Sequence, residues 1–176
     1  MIRPVNQNDL TDIHEICSMR EVAEGAGWTA SENLDMSVKR MLEYMDDNET
    51  LAVVLKDENK LIGTISLQKR YWPMYPIDRK LKGRELGFDL NRRYWGQGLM
   101  PEAAGEIIRH GFEEIGMNKI WCGYYDGNTR SKRVQEKCGF RYQWTTRDVD
   151  VPLMHEKRVG HVNLLTREDW LNPESL

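Results

Sequence analysis

Two rhythms of apolar positions alternate along the chain, one at helical spacing and one at strand spacing. Ile2 to Val5 predicts a short opening strand. Asn8 then stands as an N-cap before Leu10, Ile13, Ile16 and Cys17, which share one helical face, and Gly25 and Gly27 break that run. Thr29 with Glu32 has the spacing of a capping box. Leu34, Val38, Met41, Leu42 and Met45 follow as the apolar stripe of a second helix, which Asp46-Asp47-Asn48 ends. From Leu51 the period shortens. Leu51 to Lys56 and Leu61 to Gln68 are β-rich on either side of a turn at Asp57-Glu58-Asn59-Lys60, which predicts an antiparallel hairpin. An irregular aromatic stretch from Tyr71 to Lys82 precedes a strand at Arg84 to Leu90. Helical spacing returns with Met100, Ala103, Ala104, Ile107, Ile108, Phe112 and Ile115, and Gly116 is the natural C-cap. Lys119 to Tyr125 predicts a strand, and Asn128 to Lys137 a short helix closed by Gly139. Phe140 to Val149 and Arg158 to Thr166 predict two last strands around Pro152. No repeat or linker interrupts this order. Residues 1–176 read as a single α+β domain with a mixed, mostly antiparallel sheet flanked by helices.

At 176 residues the chain is long enough for one sizeable core. A net charge of −3 supplies no basic field that would make nucleic acid the expected partner. No apolar run approaches the roughly 20 residues that span a bilayer, and Met1-Ile2-Arg3-Pro4 lacks the apolar stretch of a signal peptide. Neither a membrane nor an export route is expected. Cys17, Cys122 and Cys138 are odd in number and far apart, with no Cys-x-x-Cys pair, so a reducing, cytoplasmic setting is the expectation. Cys122 and Cys138 read as small hydrophobes rather than acyl carriers. His14, His110, His155 and His161 lack metal-ligand spacing, so no metal is expected.

The densest chemistry lies at Arg93-Tyr94-Trp95-Gly96-Gln97-Gly98-Leu99-Met100. Two glycines one residue apart, between a strand and a long amphipathic run, make an anion cradle at a helix start: backbone N–H groups approach the anion unobstructed and the helix dipole favours negative charge. A Walker loop fails for want of Lys-Ser/Thr after Gly98, and a dinucleotide fingerprint fails because Pro101 stands at the third glycine position. On the two glycines alone, a bare strand-to-helix turn remains open.

The pattern Arg93-x-x-Gly96-x-Gly98 resembles the acetyl-CoA signature of the GNAT N-acetyltransferase superfamily. Asn128-Thr129-Arg130-Ser131, running on to Glu136-Lys137-Cys138-Gly139-Phe140, is similar to a second segment of that family. Tyr94 to Ala103 and Leu165 to Trp170 further resemble the Rim-type branch, whose members acetylate N-termini of ribosomal proteins. The resemblance implies a GNAT fold, acetyl-CoA as co-substrate and direct transfer to a primary amine, either a protein N-terminus or a small molecule. Many members dimerise, and a homodimer is left open.

Residue by residue, the resemblance implies that Trp95, Gly96, Gln97, Gly98, Leu99 and Met100, with Arg93, hold the pyrophosphate. The preceding strand, at Phe88 and Leu90, would supply backbone donors to the thioester. Glu85 is the implied general base, with a solvated strand charge as the plain reading. Asp89 is a weaker candidate that could simply end the strand. The family's usual acidic tyrosine position is filled by Gln135, a departure that removes the usual general acid. Ser131 then becomes the implied donor to the departing sulfur, against an ordinary first-turn residue. Asn128 would meet the pantetheine, cap its helix, or do both. Arg133 and Lys132 would meet phosphates or face solvent. Trp28, Tyr71, Trp72 and Tyr75 are the expected acceptor lining. The competing readings are a non-catalytic acyl-CoA-binding sensor or subunit on the same fold, and a glycine turn that binds no CoA.

Overall fold

In a computed structural model, residues 1–69 and 83–172 are described. Their strands are β1 (Ile2–Pro4), β2 (Thr50–Leu55), β3 (Lys60–Gln68), β4 (Gly83–Leu90), β5 (Lys119–Tyr125), β6 (Arg141–Val151) and β7 (Glu156–Thr166). The helices are α1 (Leu10–Cys17), α2 (Arg20–Ala26), α3 (Leu34–Asp47), α4 (Leu99–Glu113), α5 (Thr129–Lys137) and α6 (Arg167–Leu171). The strands form one sheet in the order β1-β2-β3-β4-β5-β7-β6. Every pairing is antiparallel except β4 with β5, so the expected mixed α+β architecture is present. Among the described residues no helix is long and apolar enough to cross a membrane.

Alternation along the strands divides the sheet between two cores. Ile65, Leu67 and Leu86 pack under α4 with Met100, Ala104, Ile108 and Phe112. Ala52, Val54 and Leu61 pack on the other side with Ile13, Ile16, Met41 and Trp28 from the helical N-terminal part.

The N-terminal helices depart from the sequence reading in three places. Asn6, not Asn8, is the cap: its side chain accepts from Asn8 N–H, and Asp9, held by Arg3, accepts from Asn6 N–H, which closes a capping box around a 3-10 turn one residue before α1. Next, Gly25 does not break a helix. It lies inside α2, which begins after α1 has ended at Ser18, whose hydroxyl donates back to His14 C=O; Gly27, at φ +84°, ends α2. Asn33, not Thr29, caps α3 by accepting from Met36 N–H.

The face of α3 is also rotated from the one its apolar residues predict. Leu34 and Leu42 are 49% and 51% exposed, whereas Ser37 and Met41 are buried. Ser37 Oγ on this face meets His14 Nδ1 at 2.9 Å. The rotation carries Arg40 and Tyr44 inward.

Candidate active site

The parallel pairing of β4 with β5 covers only Gly83, Arg84 and Glu85, opposite Lys119, Ile120 and Trp121. Beyond Glu85 the strands part. β4 keeps its antiparallel partner β3 to the end, through Leu90 opposite Gly63. Its β5-facing groups therefore lose their ladder. The Cys122 thiol donates to Leu86 C=O at 3.2 Å, and the Trp95 indole N–H donates to Leu90 C=O at 2.8 Å. Both carbonyls face away from β3. The two-residue period aims the N–H and C=O of Phe88 into the same gap.

The gap opens into a cleft of about 740 Å³. At one end is the start of α4. Gly96 and Gly98 have φ of +77° and +80°, a conformation that side chains with a β-carbon rarely adopt, and a β-carbon at either would enter open space. Helix α4 has no side-chain cap at Gly98, and its first backbone bond runs from Glu102 N–H to Gly98 C=O at 3.2 Å. The amides of Leu99 and Met100 therefore have no intrahelical acceptor, and Pro101 has no N–H to satisfy. A long helix with an uncapped start behind two left-handed glycines is suited to a phosphate. Arg130, Arg133 and Lys137 of α5 line the same part of the cleft, and the Arg130 guanidinium lies over the Trp95 ring at 3.9 Å. These groups fit a CoA pyrophosphate.

Arg93 and Gln97 are not in the cleft wall. The exposed Arg93 guanidinium reaches Glu15 at 3.1 Å, its N–H is taken by Asn91 Oδ1 at 3.0 Å, and the Gln97 side chain donates to Arg93 C=O. Gln97 works within the loop, and Arg93 ties it to α1. Fully buried Asn91, which motif reading missed, also donates to Glu15 at 3.1 Å, and Lys60 completes that carboxylate's partners. Glu15 thus ties the cradle to α1. The Lys60 and Asn91 hydrogen bonds hold its carboxyl below the ordinary 4.5. A depressed carboxyl stabilises the fold above its unfolded pKa and loses that contribution as pH falls through the folded value. Glu15→Gln should lower the melting temperature by ~2–4 °C at neutral pH, for about 1 kcal/mol. That difference should vanish as pH drops below 4.5, and a melting series from pH 7 to pH ~3 checks it.

Near the middle of the cleft Ser131 stands on the first turn of α5. Gln135, fully buried, donates to Ser131 Oγ at 3.1 Å and to Gly123 C=O, and accepts from Asn163 at 2.8 Å. The amide occupies a lone pair of the hydroxyl, which leaves the Ser131 proton to point elsewhere. The glutamine that breaks the family pattern therefore orients the serine. Asn128 accepts from Ser131 N–H at 3.1 Å and donates to Gly25 C=O at 3.0 Å, so it caps α5 and fastens α2 to it.

The other end of the cleft is floored by the face of β2, β3 and β4 that bears Thr50, Thr64, Ser66, Gln68, Glu85 and Asp89, and walled by Trp28, Arg40 and Tyr44. Glu85 lies where the parallel ladder stops. Asp89 accepts from Thr64 twice, at 3.2 Å from N–H and 2.6 Å from the hydroxyl; burial pushes its carboxyl above the usual range against those bonds and Arg40. Trp28 is 7% exposed, packed in the second core with its ring under the Arg40 guanidinium. Tyr71, Trp72 and Tyr75 lie outside the described residues. Burial pushes the thiols of Cys17 and Cys138 up, to about 12 and about 11, and that of Cys122 well above its ordinary value, as small hydrophobes rather than nucleophiles. Among the described residues no cluster of three or more His, Cys, Asp and Glu could hold a metal.

Comparison with known proteins accords with this geometry. The chain is 31% identical over 127 residues to a putative ribosomal N-acetyltransferase, YdaF, of Bacillus subtilis, covering 72% of this chain and 64% of that one. It covers between 37% and 64% of the lengths of the first curated relatives it matches. Among solved structures it superposes on a GNAT-family acetyltransferase from Bacillus anthracis with a TM-score of 0.82 at 24% identity, covering 95% of this chain and 94% of the other. It superposes on a spermidine N-acetyltransferase from Vibrio cholerae, in complex with CoA and spermine, with a TM-score of 0.76 at 16% identity and 98% coverage of both. The family model described as acetyltransferase (GNAT) domain matches residues 1–141. With four-fifths of its length matched, the chain belongs to the GNAT acetyltransferase domain family.

Proposed function

We propose that this chain is an acetyl-CoA-dependent N-acetyltransferase that moves the acetyl group directly to a primary amine. The observation that carries the reading is the parting of β4 from β5 beside the uncapped start of α4. It sets free backbone donors and an anion cradle along one cleft. When bound, acetyl-CoA supplies an activated acyl group on a good leaving sulfur. The amides of Gly96 to Met100 hold its pyrophosphate, with Arg130 and Arg133 at the phosphates. The Phe88 N–H faces the gap where negative charge develops on the reacting carbonyl. Glu85 takes the proton that the amine must lose. Asp89 accepts from Thr64 through both oxygens, and Glu85 lines the cleft where the parallel ladder stops. Ser131, oriented by Gln135, donates to the departing sulfur. Nothing in this scheme calls for a covalent enzyme intermediate.

The similarity to YdaF supports placing the chain near the Rim-type branch, and the three free thiols support a reducing, cytoplasmic setting. Neither fixes the acceptor, which the fold alone does not determine. Thiol release from acetyl-CoA, screened over N-terminal peptides, polyamines, aminoglycosides and amino acids, tests the activity. Acetyl-CoA at a hundred times its dissociation constant should stabilise the protein by about 2.7 kcal/mol. A melting shift with no thiol release on any amine would favour a sensor, and no shift at all would leave the cleft without its ligand.

Gln135→Leu and Ser131→Ala should each lower kcat about tenfold, the worth of one hydrogen bond to a developing charge. The double variant should lose little more than either single one, because the two groups act as one unit. Additive losses in stopped-flow thiol release would separate them.

A further inference from the structure

The acceptor end of the cleft has a charge pattern that helix periodicity does not explain. Helix α3 leaves Leu34 and Leu42 about half exposed and turns Arg40 inward. An apolar residue outside and an arginine inside reverses the ordinary order of burial, and such reversals mark function more than packing. The guanidinium lies over the Trp28 ring, 4.3 Å from its centroid. Among the described residues no carboxylate comes within ion-pair distance of it. The Asp89 charge is near enough to be felt, and its two oxygens accept from Thr64. Tyr44 stands beside it in the cleft wall, and the guanidinium fork has donors to offer. Arg40 is therefore a fixed cation facing a floor that carries hydroxyls and carboxylates.

Resting on the transferase reading, we propose that the acceptor is a small molecule carrying a carboxylate as well as the reacting amine: the carboxylate pairs with Arg40, and the amine is presented to Glu85. Arginine's planar fork suits a carboxylate, and its seat on Trp28 preorganises it for two parallel hydrogen bonds. Trp28 is thereby a support for the arginine as well as a wall. The same cation works against a polyamine, which would bring positive charge to it. Likeness of fold to the spermine-bound Vibrio cholerae enzyme therefore does not extend to a likeness of acceptor. Ser66, 5% exposed, gives the floor a hydroxyl where an apolar acceptor would need none.

The test is thiol release from acetyl-CoA with matched pairs: glycine and methylamine, 6-aminohexanoate and hexylamine, L-lysine and cadaverine. N-terminal peptides, polyamines and aminoglycosides are run beside them. The expected result is a kcat/KM about tenfold or more higher for the carboxylated member of at least one pair, the value of a charge-assisted hydrogen bond. Arg40→Gln should bring that ratio towards one through KM, and Arg40→Lys, which keeps the charge and loses the fork, should fall between. Turnover in which no carboxylated member is preferred, or in which peptides or polyamines are best, overturns the proposal and leaves the transferase reading intact. An unchanged ratio in Arg40→Gln also overturns it. No thiol release with any amine, despite a melting shift with acetyl-CoA, overturns the transferase reading itself.

Discussion

Gly98→Val should weaken acetyl-CoA binding by about a hundredfold. At φ +80° a β-branched residue is strained whatever space surrounds it, which costs on the order of 1–3 kcal/mol. If the loop relaxes to relieve that strain, the amides of Gly98, Leu99 and Met100 no longer converge, and each lost bond to a charged phosphate is worth about 1.5–3 kcal/mol. Loss of one or two such bonds, about 3 kcal/mol, corresponds to the stated loss. Gly105 is the control. It lies within α4 with nothing near a β-carbon and no positive φ. Gly105→Ala should stabilise the helix by up to ~1 kcal/mol and leave acetyl-CoA affinity where it was. Calorimetric titration of the three proteins with acetyl-CoA checks both statements.

Glu85→Gln should lower kcat by about 10²–10⁴-fold, the range of a positioned general base, with acetyl-CoA affinity nearly kept. The amide has the shape of the carboxylate and cannot take a proton. An amine near its ordinary pKa is almost wholly protonated at neutral pH, so the variant should recover rate as pH rises and more neutral amine is supplied. The parent's rate should reach its plateau at lower pH. Rate profiles of the two proteins from pH 6 to pH 10 make the comparison; superimposable profiles with equal rates would remove Glu85 from the chemistry.

The donor half of the cleft was legible in the sequence because its geometry is written in residue types with few substitutes. Glycines at Gly96 and Gly98 permit a backbone that other residues resist, and Asn128 and Ser131 stand at the start of a short helix where a cap is needed. The strands were legible because alternation is strong where one face meets α4. The acceptor half was not. Apolar counting assigned Leu34 and Leu42 to the buried side of α3, whereas Ser37, in hydrogen-bond contact with His14, and Met41 are the residues buried there. No local pattern reports a contact between residues so far apart. Thr50, Thr64 and Ser66 look like the outward positions of ordinary alternating strands, and only the packing of α2 and α3 above them makes them a floor. Arg130 shares a helix face with Arg133, three residues on, and both line the cleft; only its contact with the ring of Trp95, distant in sequence, marks Arg130 out. Gln135 was visible as a departure, but its partner Asn163 lies on β7, beyond the reach of any spacing argument.

The central claim is that acetyl-CoA lies along the gap between β4 and β5 with its pyrophosphate on the start of α4. Backbone amide chemical shifts followed during titration with acetyl-CoA test it most directly. The largest changes should fall on Phe88, Leu90, Gly96, Gln97, Gly98, Leu99, Met100 and Ser131, with the edge strands β1 and β6 almost unmoved. Saturation that leaves those amides in place, while shifts gather on another surface, would contradict the account.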